Sequence, residues 1–232
     1  MFVLNIANNV NTVNDSAVIN DTDSTNAVLD RSFLLDVSWC YHFSHRILDI
    51  VLSLCGLAVL VLLFPCLALC IRLDSPGPVL YRQQRVGYRG RLFWLYKFRS
   101  MHCCAEEQGP CWTLPGDVRV TRVGRWLRAT HLDELPQVIN ILRGEMSVIG
   151  PRPERKPFAA LLAQELPDFP CRLLVRPGLT GLAQVCCAYA DSVATAKCKL
   201  RHDLYYIEHW SLRLDLSILW ATLWTVLRCQ GR

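Results

Sequence analysis

The sequence predicts a small mixed α/β domain held at a membrane by one N-terminal apolar helix. Three observations predict it. Ile50 to Ile71 is a run of 22 residues without a charge. Two strand-like runs bracket Gly87 and Gly90 in "VLYRQQRVGYRGRLFWLYKFRSM". Short helical, turn and extended pieces alternate from "RVTRVGRWLRATHLDELPQVINIL" onward. A chain of 232 residues has room for one compact domain with appendages.

Residues 1–38 are rich in Asn, Asp, Thr, Ser and Val without a sustained period, and are expected to form a disordered tail. Residues 39–73 form the membrane element: the uncharged run is long enough to cross a bilayer. Pro65 interrupts it, and a proline inside a helix removes a backbone hydrogen bond and kinks it. Basic residues flank both ends, His45 and Arg46 before and Arg72, Arg82 and Arg85 after. Positive flanks favour the cytoplasmic side. A helix that dips in, bends at Phe64-Pro65 and returns therefore competes with a kinked span.

Residues 74–228 are the expected catalytic body. "DSPGP" reads as a loop, and the runs around Gly87–Gly90 as a β-hairpin. Alternation on the second strand places Phe93, Leu95, Lys97 and Arg99 on one face. Those two cations are either site residues or solvated charges at a strand end. Residues 102–118 are loop-like. Pro136 belongs in the first turn of a helix that starts near Asp133 and ends near Leu142. A turn, a short extended piece and a stiff Pro151-Arg152-Pro153 loop follow, then a helix over 155–166. "VRPGLTGLAQV" reads as a loop with a short strand. The apolar stretch from Leu216 to Leu227 is too short to span. With Trp220 and Trp224 it suits a helix lying in the membrane interface, or one packed on the core.

The net charge of +5 is uneven. Residues 1–44 hold five aspartates and one arginine, so the rest carries +9. A basic body suggests phosphates, nucleotides or acidic headgroups as partners. No nucleic-acid-binding motif accompanies the charge, so a nucleic-acid partner is not expected. The 12 cysteines are read as reduced thiols, because several lie inside the apolar run as small hydrophobes. Cys103, Cys104 and Cys111 lack the second CxxC-type pair that a zinc site favours.

The chemistry concentrates at Asp133 and Glu134. Structure alone could use both, as an N-cap and a first-turn complement to the helix dipole. Their surroundings suggest more. Arg152 sits on a stiff loop, Arg128 lies five residues upstream, Lys97 and Arg99 share a strand face, and Arg176 occupies a second Pro/Gly turn. Guanidinium groups suit bidentate contact with phosphate. Two carboxylates beside a diphosphate call for a divalent cation such as Mg2+. One acid can then attack phosphorus while its neighbour holds the metal.

At these residues the chain resembles the bacterial sugar transferase family, the monotopic polyprenyl-phosphate phosphoglycosyl transferases. The resemblance rests on "KFRSM" (97–101), "LRATHLDELPQVINILRGEMSVIGPRPE" (127–154), "VRPGLTGLAQV" (175–185) and "DLYYIEHWSLRLDLSIL" (203–219). It implies a re-entrant helical hairpin in the inner leaflet of the bacterial cytoplasmic membrane, with the active site on the cytoplasmic face and membrane lipid as a partner. It implies Asp133 as nucleophile and Glu134 as the acid associated with Mg2+. Arg128, Pro151, Arg152, Pro153 and Arg176 match the nucleotide-sugar and phosphate site, and Lys97 and Asp203 match further active-site positions. The implied reaction moves a hexose phosphate, galactose or glucose, from a UDP-sugar to undecaprenyl phosphate through an Asp133 phospho-sugar. UMP leaves, and exopolysaccharide, capsule or O-antigen assembly begins. A homodimer is a further expectation. Two departures stand out: Phe64-Pro65 replaces the family's Ser-Pro bend, and "CCAYADS" (186–192) replaces an Asn-Gly-Arg-like stretch. The competing readings are a membrane phosphotransferase or pyrophosphatase with another acceptor, and a non-catalytic membrane adaptor.

Overall fold

The computed structural model describes residues 39–103, 105, 116–187 and 193–228. The expected tail over 1–38 lies outside them, as do Cys104, Cys111 and most of "CCAYADS". The architecture is mixed but mostly helical. It opens with one long apolar helix, α1 (Trp39–Asp74). A hairpin of β1 (Leu80–Val86) and β2 (Leu92–Phe98) follows, then α2 (Arg122–Ala129), a 3-10 segment (Leu132–Gln137) and α3 (Val138–Leu142). Next come β3 (Ser147–Ile149), α4 (Lys156–Glu165), a 3-10 segment (Phe169–Leu174) and β4 (Gly178–Thr180). The chain closes with α5 (Leu182–Cys186), α6 (Val193–Glu208) and α7 (Leu212–Leu227). The four strands form two separate pairs, β1–β2 antiparallel and β3–β4 parallel.

The hairpin turns where the glycines predict. Gly87 N–H donates to Arg91 O at 2.8 Å, and Arg89 and Gly90 take positive φ. Register runs from Leu80 opposite Phe98 to Val86 opposite Leu92. The face carrying Phe93 and Leu95 is buried in a core shared with Ile141, Met146, Ile149, Leu182, Tyr206 and Ile218. Lys97 shares that inner face, beyond the apolar residues. Asn140, fully buried, locks α3 to β2: its side chain accepts from Tyr96 N–H at 3.2 Å and donates to Trp94 O at 2.7 Å.

α1 is a single helix with Pro65 in its interior, not two helices meeting at a turn. Its buried positions, His45, Asp49, Ser53, Leu60, Leu67 and Ile71, fall on one helical face. That face docks on the body along the whole helix. Arg46 donates to the carbonyls of Ile141 and Leu142 at the end of α3, at 2.9 and 3.1 Å. Asp49 Oδ1 accepts from Ser147 Oγ and Val148 N–H, at 2.8 and 2.7 Å. A Cβ on Gly56 would lie 2.8 Å from Val138 Cγ1, so glycine permits the close crossing. Phe64, at the expected bend, meets the Phe98 ring at 5.9 Å. Leu60, Leu67 and Ile71 pack with Phe98, Leu127 and Val138, each worth roughly 1.5–3 kcal/mol when fully buried. The opposite face exposes Val51, Leu54, Val61, Leu62, Leu69 and Leu73. α7 likewise exposes Leu216, Trp220, Leu223, Trp224 and Leu227 while burying Leu214 and Ile218.

Two local expectations are corrected. Asp133 does not cap a helix. The segment starts as a 3-10 turn at Leu132, behind His131 in a left-handed conformation with no side-chain cap, which places both acids inside the first turn. Pro136, with no N–H to give, is tolerated there. Arg99 lies one residue past the end of β2, so strand alternation no longer sets its direction. Its backbone N–H pairs with Val79 O at 2.9 Å, and its guanidinium turns onto the C-terminal carbonyls of α1.

Candidate active site

Glu134 is the hub of the site. Its Oε1 accepts from Lys97 Nζ at 2.6 Å and from Arg152 Nη2, and Arg152 Nη1 reaches Oε2 at 3.3 Å. Burial alone would raise the Glu134 carboxyl, but Arg152 and Lys97 outweigh it and hold the group well below the usual carboxylate range. Burial in turn lowers Lys97, against the pull of Glu134. The neighbouring acid meets the opposite environment. Asp133 is 6% exposed, and its carboxylate makes no hydrogen bond among the described residues. Burial pushes its carboxyl up, with Lys97 pulling the other way and Glu134 adding to the rise. Adjacent acids with opposed environments suit different tasks. Glu134 holds two cations chiefly through Oε1, while Asp133 lines the cavity.

The loop that carries Arg152 is fixed by backbone. Gly150 N–H donates to Thr180 O, and Gly178 N–H donates to Pro151 O, each at 2.9 Å. A Cβ on Gly178 would lie 2.2 Å from Gly150 N, so only glycine permits this crossing of the "IGP" and "PGLTG" segments. Pro151 and Pro153 are buried on either side of Arg152. Arg85 donates to Pro153 O at 3.0 Å, and Val86 N–H to Glu154 O at 2.9 Å. Arg172 donates to Arg152 O at 2.9 Å and pairs with Asp203 Oδ2 at 2.7 Å. Arg85 and Arg172 were not singled out in the sequence as site residues. Arg85 follows two glutamines on β1 and Arg172 stands between Cys171 and Leu173, a weak signal until the long-range contact is seen.

The other expected site residues divide. Arg128 lines the cavity and acts on Asp133 through its charge. Asp203 is buried under Arg172, where it positions the loop. Arg99 donates to Ile71 O at 3.2 Å, Ser75 Oγ at 3.0 Å and Pro76 O at 3.0 Å. Its hydrogen bonds thus go to the end of α1 and the turn after it, while the residue still lines the cavity. Arg176 is exposed and absent from the cavity wall. Its charge is felt instead by His42, whose imidazole burial lowers, His45 and Arg176 adding to the fall. Cys103 makes a thiol contact to Pro76 O at 3.4 Å. The cavity measures about 1550 Å3. It runs from Lys97, Arg128, Asp133 and Arg152 past Lys199 to Thr222 and Val226 on α7. That exceeds the usual ~300–1,000 Å3 of a small-molecule site.

An acid pair among fixed cations, in a cavity that reaches an exposed apolar helix, has the charge pattern of an anion-handling site. The chain belongs to the bacterial sugar transferase family, whose model matches residues 40–229. It is 43% identical over 191 residues to the UDP-N-acetylgalactosamine-undecaprenyl-phosphate N-acetylgalactosaminephosphotransferase of Aeromonas hydrophila, covering 82% of this chain and 45% of that protein. It is 44% identical over 181 residues to the UDP-glucose:undecaprenyl-phosphate glucose-1-phosphate transferase of Caulobacter vibrioides, covering 76% and 67%. It is 42% identical over 183 residues to the exopolysaccharide production protein PSS of Rhizobium leguminosarum bv. phaseoli, covering 76% and 92%. The chain thus spans about half of the first relative and nearly all of the third.

Proposed function

We propose that the protein transfers a hexose 1-phosphate from a UDP-sugar to undecaprenyl phosphate. The carrying observation is the division of labour between the acids: Glu134 is held by Lys97 and Arg152 chiefly through Oε1, while Asp133 is buried and faces the cavity without a side-chain hydrogen bond among the described residues. An Asp133 oxygen attacks the sugar-linked phosphorus. An aspartyl–phosphate bond forms, the bridging P–O bond breaks, and UMP leaves. The phosphate of undecaprenyl phosphate then attacks the same phosphorus and frees Asp133. Lys97, Arg128 and Arg152 offset the charge that builds on phosphate oxygens. The relatives act on UDP-glucose or UDP-N-acetylgalactosamine by name, so the test is a panel of UDP-sugars with and without undecaprenyl phosphate. Lipid-dependent turnover with UMP release supports the reading. Sugar phosphate released into water without lipid would favour a hydrolase.

The donors fit Mg2+. Glu134 Oε2 has only the long Arg152 contact, and Asp133 adds a second carboxylate nearby. Glu134 would hold the ion, which supplies charge neutralisation at the diphosphate. Chelation is expected to stop UMP release and Mg2+ to restore it. Full activity in excess chelator would show that the cations suffice.

The proposed seat is the cytoplasmic face of the inner membrane, with both ends of α1 on that side. A straight 36-residue helix is ~54 Å long. Yet Arg46 and Asp49 near its start and Ile71 and Asp74 at its end all bond to the same body. A simple crossing would separate those contacts by a bilayer. The exposed apolar faces of α1 and α7 are left for lipid. A single cysteine before Trp39, in an otherwise cysteine-free active variant, is expected to resist an impermeant thiol reagent until cells are lysed. Labelling of intact cells would place the N-terminus outside and refute this seat.

A further inference from the structure

Away from the acid pair, Cys187, Cys198 and His202 converge, with their ligand atoms all within 4.8 Å of one another. Cys187 Sγ lies 3.6 Å from Cys198 Sγ and 3.3 Å from His202 Nδ1. Tetrahedral zinc, with Zn–S of ~2.3 Å and Zn–N of ~2.0–2.1 Å, requires S···S of ~3.8 Å and S···N of ~3.6 Å. The observed spacings lie within a few tenths of an ångström of both. Cys198 and His202 are four apart on α6 and therefore share a helical face, while Cys187 arrives from the end of α5. His202 is 1% exposed. The Nδ1 that faces Cys187 also lies 2.9 Å from Cys198 O of its own helix, a contact that a metal ion at Nδ1 would displace, and Nε2, on the other side of the ring, has no hydrogen-bond partner. A buried imidazole facing two thiols, with no other polar contact from outside its helix, has the chemistry of a soft-metal ligand set.

We propose that Cys187, Cys198 and His202 bind a thiophilic divalent cation, Zn2+, with water in the fourth position. Binding turns two thiols into thiolates and releases their protons. Cys186, the adjacent thiol, packs against the core and is not a ligand. The ion clamps the end of α5 to α6. α6 also carries Asp203, next to His202, which holds Arg172 and through it the carbonyl of Arg152. The clamp therefore braces the cation loop from behind and takes no part in phosphoryl transfer. It goes beyond the proposed transferase activity, and its test does not depend on that activity.

The test uses the full chain purified in detergent, stripped with chelator and titrated with Zn2+ against a chromophoric competitor. One zinc per chain is expected, with a rise in melting temperature on loading. Co2+ in place of Zn2+ should give a thiolate-to-metal charge-transfer band. Cys187→Ser and Cys198→Ser should each lose the band and the tight zinc, and Cys186→Ala should keep both. His202→Ala risks the fold because the ring is buried, so the cysteine variants, checked by circular dichroism, carry the decision. Absence of tight zinc in the wild type would overturn the site. So would undiminished binding in the Cys187→Ser, Cys198→Ser double variant, or a metal-free Cys187–Cys198 disulfide in protein prepared without reductant.

Discussion

Asp133→Asn is expected to abolish UMP release, with a loss of at least ~10³-fold, because the amide cannot form the phospho-enzyme bond. The same substitution is expected to stabilise the fold. Burial raises the Asp133 carboxyl, so the folded state disfavours its charge. That cost begins as pH rises past the unfolded value of ~3.9 and is fully present above the raised folded one. Asparagine removes it. Melting curves at neutral pH should therefore place the inactive variant above the wild type, and the gap should close in acid. Loss of activity with gain of stability separates an active-site group from a structural one. Near-wild-type UMP release by the Asn variant would refute the nucleophile.

Glu134→Gln should do the reverse to the fold. Lys97 Nζ and Arg152 converge on this carboxylate. Removing its charge leaves two cations facing each other in a largely buried site. Breaking a buried pair costs ~3–5 kcal/mol, and the low end, about 3 kcal/mol, is expected because Arg152 is more than a third exposed and partly screened. The sign with pH follows from the depressed carboxyl. Its contribution is present above the unfolded value of ~4.3 and fades as pH falls toward the folded one. Denaturant titrations at neutral pH should show the full difference, and it should shrink in acid. Equal stability of wild type and variant at neutral pH would mean that the cations do not depend on Glu134.

What was legible in the sequence follows the range of the interactions. The β1–β2 hairpin and the inward direction of Lys97 could be read from alternation, because a strand has a fixed period of two. The Pro151-Arg152-Pro153 loop and the acid pair were legible because proline restricts the chain locally. Arg99 lines the cavity, but β2 ends at Phe98, so alternation could not report that its hydrogen bonds go to the end of α1. Arg176 stands outside the cavity lining, and a Pro-Gly turn has no period from which its direction could be read. Asp203 was found, but its partner Arg172 stands 31 positions earlier in the chain, and no local rule reports such a pair. The docking of α1 was hidden for a different reason: an apolar run fits a bilayer and a protein core equally well. Only the buried His45, Asp49 and Ser53 distinguish them, and they sit at one end of the run.

The central claim is that Asp133 carries the sugar phosphate between substrates. Intact-protein mass spectrometry of the purified chain with its UDP-sugar, Mg2+ and no lipid tests it most directly. The account predicts a gain equal to one hexose phosphate less water. Peptide mapping should locate it at Asp133, undecaprenyl phosphate should discharge it, and Asp133→Asn should not acquire it. Lipid-dependent turnover by a wild type that never acquires the adduct, or an adduct that persists in Asp133→Asn, would contradict it.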